Sequence, residues 1–141
     1  MDKNKAMQEY LMQCPEIESF VRFNVSVGFQ GDTSFQSISS TAWVERYPRG
    51  KGIKDLNYAL VQIKPHDTGT SAVNFEQFFD VEKVMDWITE QGKNGNFPDF
   101  GEKEKVFSIE VMENMPNISA VSEDGGTCKY MFQLRVRYVV E

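Results

Sequence analysis

The sequence predicts a single α+β domain: an antiparallel or mixed β-sheet of about four to five strands packed against two main helices. Two segments repeat apolar residues at the spacing of one helix face, one near the N-terminus and one in the middle of the chain. Other segments alternate apolar and polar residues, as half-buried strands do. No repeat, low-complexity tract or linker interrupts the 141 residues, so 1–141 is assigned to one domain.

The first helix is predicted over Lys3–Cys14. Its apolar stripe follows the i, i+3, i+4, i+7 spacing of one helix face. The stripe consists of Met7, Tyr10, Leu11 and Cys14. Pro15 disfavours helical geometry at the residue before it, so the helix is expected to stop there.

The second helix is predicted over Phe75–Gln91. Its core-facing side comprises Val81, Val84, Met85 and Ile88, and Phe75, Phe78 and Trp87 extend or flank that side. Either Gly92 or Gly95 can supply the left-handed C-terminal cap, and Pro98 prevents continuation of the helix.

An antiparallel hairpin is predicted in the first third of the chain. Alternating apolar residues indicate a strand over Val21–Phe29, carried by Val21, Phe23, Val25, Val27 and Phe29. Turn residues follow at Gly31–Ser34, and Phe35–Tyr47 forms a second extended run. The basic segment Tyr47–Gly52 is expected to be a flexible loop.

Three further strands complete the predicted sheet. They cover Leu56–Lys64, Val106–Met112 and Cys128–Val140. In the strand Val106–Met112, the apolar face consists of Phe107, Ile109 and Val111. The last run has seven alternating apolar members, so we expect a long strand whose Leu134 and Val136 face the core. Residues Glu113–Gly126 are expected to form a loop.

The composition excludes several classes of protein. The net charge is −6 and the sequence lacks the basic clusters that nucleic-acid binders usually carry, so no sequence-specific nucleic-acid binding is expected. No apolar run is long enough to cross a membrane. The N-terminal segment lacks a signal peptide's apolar centre, so the protein is expected to stay in the compartment of its synthesis. Cys14 and Cys128 are then expected to be reduced, buried thiols.

The sequence also lacks the patterns of common catalytic sites. His66 is the only histidine, which excludes multi-histidine sites, and it lies in a polar turn. No phosphate loop, dinucleotide fingerprint, nucleophile elbow or zinc-protease motif occurs. We therefore predict no catalytic residue, cofactor or metal, and no enzyme activity.

Four residues in the second half of the chain are candidate contacts with partner proteins. Arg135 and Arg137, together with Lys129, are read either as a solvated face or as a basic docking stripe for an acidic neighbour. Phe97 and Phe100 flank a loop, where they form either a contact patch or a cover for the end of the core.

The second half of the chain resembles small proteins of tailed phages and prophages of Gram-positive bacteria, the tail terminator (tail completion, "minor capsid") family. The matching features are Trp87-Ile88 with Glu90-Gln91, Gly95–Pro98, Ser108–Val111 and the closing strand Tyr130–Tyr138. The chain differs from the family between Met112 and Ala120, where members carry an aromatic, glycine-containing stretch.

The resemblance implies a structural virion protein, made in the bacterial host cytoplasm. Such a subunit forms a ring, expected to be hexameric, that caps the head-proximal end of a tail tube. Its implied partners are further copies of itself, the tail tube protein, the head–tail connector and, in a contractile tail, the sheath protein. The loops with Arg49 and Lys51 and at Glu113–Gly126 are candidate contacts. The alternative is a small cytosolic ligand-binding domain or enzyme with an aromatic pocket over the sheet.

Overall fold

The α+β class is confirmed by a computed structural model, which describes residues 2–25 and 30–141. Its described part contains two helices and seven strands, more strands than the sequence indicates. The elements are α1 (Lys3–Leu11), β1 (Val21–Phe23), β2 (Thr33–Ile38), β3 (Glu45–Tyr47), β4 (Lys51–Pro65), α2 (Ala72–Lys93), β5 (Glu104–Val111), β6 (Asn117–Val121) and β7 (Thr127–Val140).

One long antiparallel pair, β4 and β7, forms the centre of the sheet. Its register extends from Gly52 opposite Val140 to Pro65 opposite Thr127. The other edge of β4 pairs with β2 and β3, and the other edge of β7 pairs with β5 and β6. The long strand predicted at the C-terminus is confirmed, and it lies at the centre of the sheet.

The antiparallel hairpin predicted near the N-terminus is wrong, because β1 pairs with β2 in parallel, with Val21 opposite Thr33. Asn24 has a left-handed backbone (φ 52°) that turns the chain out of the strand direction after Phe23. Its side-chain Oδ1 accepts a hydrogen bond from the Ser37 N–H at 2.9 Å. Val27 and Phe29 of the predicted strand lie outside the described residues.

Two further differences occur in the extended segments. The predicted strand Phe35–Tyr47 is divided into the end of β2 and the short β3. The predicted loop Glu113–Gly126 contains β6, whose five residues are all exposed while its backbone pairs with β7. The sequence of β6 lacks the apolar–polar alternation of a half-buried strand, because pairing with β7, and not a buried face, holds this strand.

A β-bulge changes the face of β5. The register with β7 shifts between Val106 and Ser108, so Phe107 lies on the outer side with 45% of its surface exposed. Ile109, which the sequence places on the same apolar face, is 5% exposed and belongs to the core. An extra residue at a bulge inverts the alternation beyond it.

Both helices pack on one face of the sheet and share one apolar core. Helix α1 ends at Leu11, three residues before the predicted end, but its stripe residues and Cys14 beyond it are buried, as are Val81, Val84, Met85 and Ile88 of α2. Leu134 and Val136 of β7 are fully buried beneath the helices, as predicted. The rings of Tyr10 and Trp87 join the helices, with centroids 5.5 Å apart.

Candidate interaction surfaces

Arg135 and Arg137 lie on the sheet face away from the helices and form ion pairs within the chain. Arg135 Nε donates to Glu110 Oε1 at 3.0 Å, and Glu110 lies directly opposite on β5. Arg137 lies opposite Asp55 of β4, with Nε 3.9 Å from Asp55 Oδ2. The neighbouring strands supply a carboxylate for each arginine, so this part of the face lacks the excess positive charge that a basic stripe requires.

Phe97 and Phe100 cover the end of the core. Phe100 is 4% exposed, and its ring meets that of Tyr138 edge-on with centroids 5.4 Å apart. Phe97 is half-buried against the same core. Burial of Phe100 leaves no ring surface for a partner, so the exposed aromatic contact patch considered from the sequence is not formed by this residue.

Arg49 and Lys51 lie at one end of the long β4–β7 pair. We name residues 43–54 the basic hairpin: it comprises β3, a short 3-10 turn over Pro48–Gly50 and the start of β4. Arg49 takes a left-handed conformation (φ 66°) at the tip. Both basic side chains are exposed, and Tyr47, at the end of β3, is 47% exposed.

The basic hairpin is an ordered structure and not the flexible loop that the sequence indicates. Lys54 Nζ lies 4.4 Å from the centre of the Trp43 ring, and the guanidinium of Arg46 lies 5.8 Å from it. Gly52 is buried at a φ of +146°, and a Cβ there would collide with the carbonyl oxygen of Glu45. A residue without a side chain therefore lets β3 approach β4 closely.

A groove runs along one side of α2, between that helix and the β5–β6 edge, and we name it the α2–β6 groove. Its first half has a volume of about 580 Å³ and apolar walls. Phe75 and Phe79 project into solvent there, 75% and 56% exposed, and Ile118 of β6 faces them. The half-buried Phe78 and the buried Tyr130 form the floor. Phe75, which the sequence places at or beside the core-facing side of α2, is therefore exposed, and Phe79 lies one helical turn further along the same side.

The second half of the α2–β6 groove is acidic. Glu82 lines both halves, and Asp86 and Glu113 line the second, which has a volume of about 220 Å³. Glu113 Oε2 accepts the Gln133 N–H at 2.7 Å in the gap that β5 and β6 leave along β7. Among the described residues, no lysine or arginine forms an ion pair with Glu82 or Asp86.

A second recess, of about 560 Å³, lies beside β2 and β4 and is lined mainly by polar side chains. Gln62 at its wall is buried and donates from Nε2 to Thr33 Oγ1 at 3.2 Å. Its Oε1 has no hydrogen-bond partner among residues 2–25 and 30–141. This acceptor could bind a donor group of a small molecule.

The titratable groups with shifted pKa values lie outside the α2–β6 groove, except for Tyr130 in its floor. Hydrogen bonds from Gly69 and Thr70 lower the pKa of Asp67, and those from Ser122 and Gly126 lower the pKa of Asp124. Burial raises the pKa of Tyr130 to about 12. The described residues contain no group of three or more histidine, cysteine or carboxylate side chains that could hold a metal ion.

The helices of the described residues include none long and apolar enough to cross a membrane. The chain matches no protein-family model and no curated protein.

Proposed function

We propose that this chain is a structural subunit of a phage or phage-like tail, a terminator that forms a ring at the head-proximal end of the tail tube. The single observation that carries a protein-contact role is the α2–β6 groove. Large aromatic side chains exposed singly are ordinary on a soluble protein, whereas Phe75, Phe79 and Ile118 are contiguous. Aromatic clusters of this kind are typical of the centre of a protein interface.

The sheet architecture supports assembly in a second way. β6 is an edge strand without a charged residue, and all its side chains are exposed. Such an edge offers unpaired backbone groups to a neighbouring chain. The resemblance of Trp87–Pro98 and of the closing β7 strand to tail terminators suggests the particular role. The proposed partners are the tail tube protein, the head–tail connector and, in a contractile tail, the sheath protein.

A ligand-binding domain or enzyme is the second candidate, and the recess at Gln62 is the observation that favours it. A buried acceptor without a partner is costly unless something supplies the hydrogen bond. The aromatic pocket expected for this alternative is instead an open groove, and the carboxylates with lowered pKa values, Asp67 and Asp124, line neither space. The geometry therefore favours the assembly role.

Deletion of the gene from its phage or tail locus tests the proposed function. Electron microscopy of the particles should show tubes of uncontrolled length or tails that fail to join heads. Complementation with the unaltered gene should restore capped tails, and labelled antibody should bind only the head-proximal end. Normal, full-length capped tails after deletion, with the protein absent from purified particles, would reject the assignment.

Complementation with Phe75→Ser, Phe79→Ser tests the groove itself. Both side chains are exposed, so the variant should fold, which its thermal unfolding checks. Failure of the folded variant to cap tails is expected. A matched control is Phe107→Ser, which removes an exposed aromatic residue from β5 outside the groove and should complement.

A further inference from the structure

The basic hairpin and the α2–β6 groove lie at different positions along the central strands. Tyr130 in the apolar half of the groove pairs with Gln62, which is 11 residues from Lys51 along β4. At roughly 3.3 Å per residue this separation is about 36 Å. The acidic half lies beside Val111, which aligns through Leu134 with Tyr58, 7 residues or about 23 Å from Lys51. A hairpin held in the sheet cannot reach the groove of its own chain.

The two surfaces carry opposite charge. Residues 43–54 contain four basic side chains and one carboxylate, a net charge of +3. The helix α2 contains five carboxylates and two lysines, and residues 112–126 add three carboxylates and no basic residue. Lys83 of α2 pairs with Asp80 at 3.6 Å, and its Nζ lies 4.9 Å from the centre of the Phe79 ring. Three carboxylates, Glu82, Asp86 and Glu113, are the charged side chains that line the groove, so the groove is negative and the hairpin is positive.

We propose that the basic hairpin of one copy docks into the α2–β6 groove of a second copy, a contact that rests on the proposed function because it joins neighbouring ring subunits. The exposed Tyr47 enters the apolar half, against Phe75 and Phe79. Arg49 and Lys51 meet the carboxylates of the acidic half. The partner is a second copy because this chain itself carries the apolar and basic groups that complement the groove.

The spacing of the groups is compatible on the two sides. Phe79 and Asp86 are seven residues apart on α2, which is about 10 Å along a helix axis. Tyr47 and Arg49 are separated by at most about 7 Å of backbone, and the arginine side chain extends beyond that. One hairpin can therefore place an aromatic ring and a guanidinium in the two halves together.

Because the contact joins two different surfaces, it can repeat from copy to copy as a head-to-tail contact, which is the arrangement that a ring needs. The alternative is a reciprocal two-fold pair, in which each hairpin enters the groove of the other copy. A two-fold contact of groove with groove would bring two negative regions together, which opposes association. Head-to-tail contacts between identical subunits close into a ring when the rotation between neighbours allows it. The contact therefore supplies the kind of interface that a ring requires.

Disulfide trapping tests the contact. Native Cys14 and Cys128 are buried and stay in place. The probes are two single variants, Arg49→Cys and Asp86→Cys, and the double variant that carries both. After mild oxidation of the purified full chain, the mixed single variants should give a heterodimer and nothing larger. The double variant should give a ladder or a closed ring, and a product that stops at a dimer with two cross-links would show a reciprocal two-fold pair and overturn the head-to-tail contact. The pair Arg49→Cys with Glu9→Cys, an exposed position on α1, is the control and should cross-link at least tenfold more slowly.

Charge reversal separates specific docking from chance collision. Lys51→Glu in the Arg49→Cys chain should lower the cross-linking rate severalfold, and Glu82→Lys in the Asp86→Cys chain should restore it. Phe79→Ser in the Asp86→Cys chain should lower the cross-linking rate, and the charge reversal should not restore it. Equal rates for the control pair, or faster cross-linking of Asp86→Cys with itself, would overturn the head-to-tail contact.

The outcome is independent of the deletion experiment. If the protein cross-links specifically but is absent from capped tails, the docking contact stands and the terminator role is rejected. A ring on the tails without cross-linking at these positions rejects the docking contact alone.

Discussion

Gly92 of α2 lies against the carbonyl oxygen of Ile109 in β5: a Cβ at Gly92 would be 2.7 Å from that oxygen. The glycine lies inside the helix, and its φ is outside the left-handed range. Its lack of a side chain lets the last turns of α2 approach β5. The left-handed C-terminal position belongs instead to Gly95 (φ +73°), one of the two glycines that the sequence offered for it.

Gly92→Ala should destabilise the protein. Alanine favours a helix by about 1 kcal/mol over glycine, but the added methyl group must displace α2 from β5, at a cost of about 1–3 kcal/mol. Because the opposing atom belongs to the backbone and cannot rotate away, we expect a net loss. Urea denaturation measures it, with the exposed Glu90→Ala as control. An unchanged or higher midpoint for Gly92→Ala would show that helix and strand separate freely.

Ile109→Ala and Phe107→Ala should differ strongly in stability, although the sequence places both residues on one apolar face. Ile109 is buried, so its truncation should cost about 2–5 kcal/mol. Phe107 is exposed at the bulge, and its loss should cost under about 1 kcal/mol. Denaturation midpoints of the two variants provide the comparison. Equal losses would place the register shift elsewhere in β5.

The two thiols should react slowly with a thiol reagent in the native protein and quickly after unfolding. Cys14 and Cys128 are buried, and burial raises the pKa of both thiols, which lowers the fraction of reactive thiolate. Colour release from an aromatic disulfide reagent gives the rate, with Arg49→Cys as a control for an exposed thiol. Rapid modification of the native protein would contradict the burial, and a Cys14–Cys128 disulfide would contradict the reduced state of the two thiols.

Asp124→Asn should lower stability near neutral pH, with a difference that disappears in acid. The Ser122 hydroxyl and the Gly126 N–H donate to Asp124 Oδ1 at 2.7 and 2.9 Å and hold its pKa below the ordinary value. A lowered folded-state pKa stabilises the fold above the unfolded-state pKa of about 3.9, and this contribution is lost as the pH falls through the folded-state pKa.

Denaturation midpoints of the wild type and Asp124→Asn across this acidic range measure the effect. Ser122→Ala removes one donor and should reduce the lowering of the pKa, as followed by the carboxyl NMR signal. A difference between wild type and Asp124→Asn that persists at the lowest pH would assign the effect to packing rather than to the carboxylate charge.

The helices and the C-terminal strand could be predicted because their periodicity is local. The stripe from Met7 to Cys14 and the alternation from Cys128 to Val140 each record one buried face, and the structure buries those faces as expected. Neither pattern depends on the element that covers it. The α2–β6 groove could not be predicted from the sequence, because the helical spacing of Phe75 is the same whether another element covers its side chain or leaves it exposed.

The sequence by itself determined the α+β class, the two helices, the core face of β7 and the burial of both cysteines. Only the tertiary structure decided the parallel pairing of β1 with β2, the bulge at Phe107, the burial of Phe100 and the carboxylate partners of Arg135 and Arg137. Each of these depends on residues distant in the chain, whose approach no local period records. The same long-range pairing places the basic hairpin and the acidic groove far apart on one molecule.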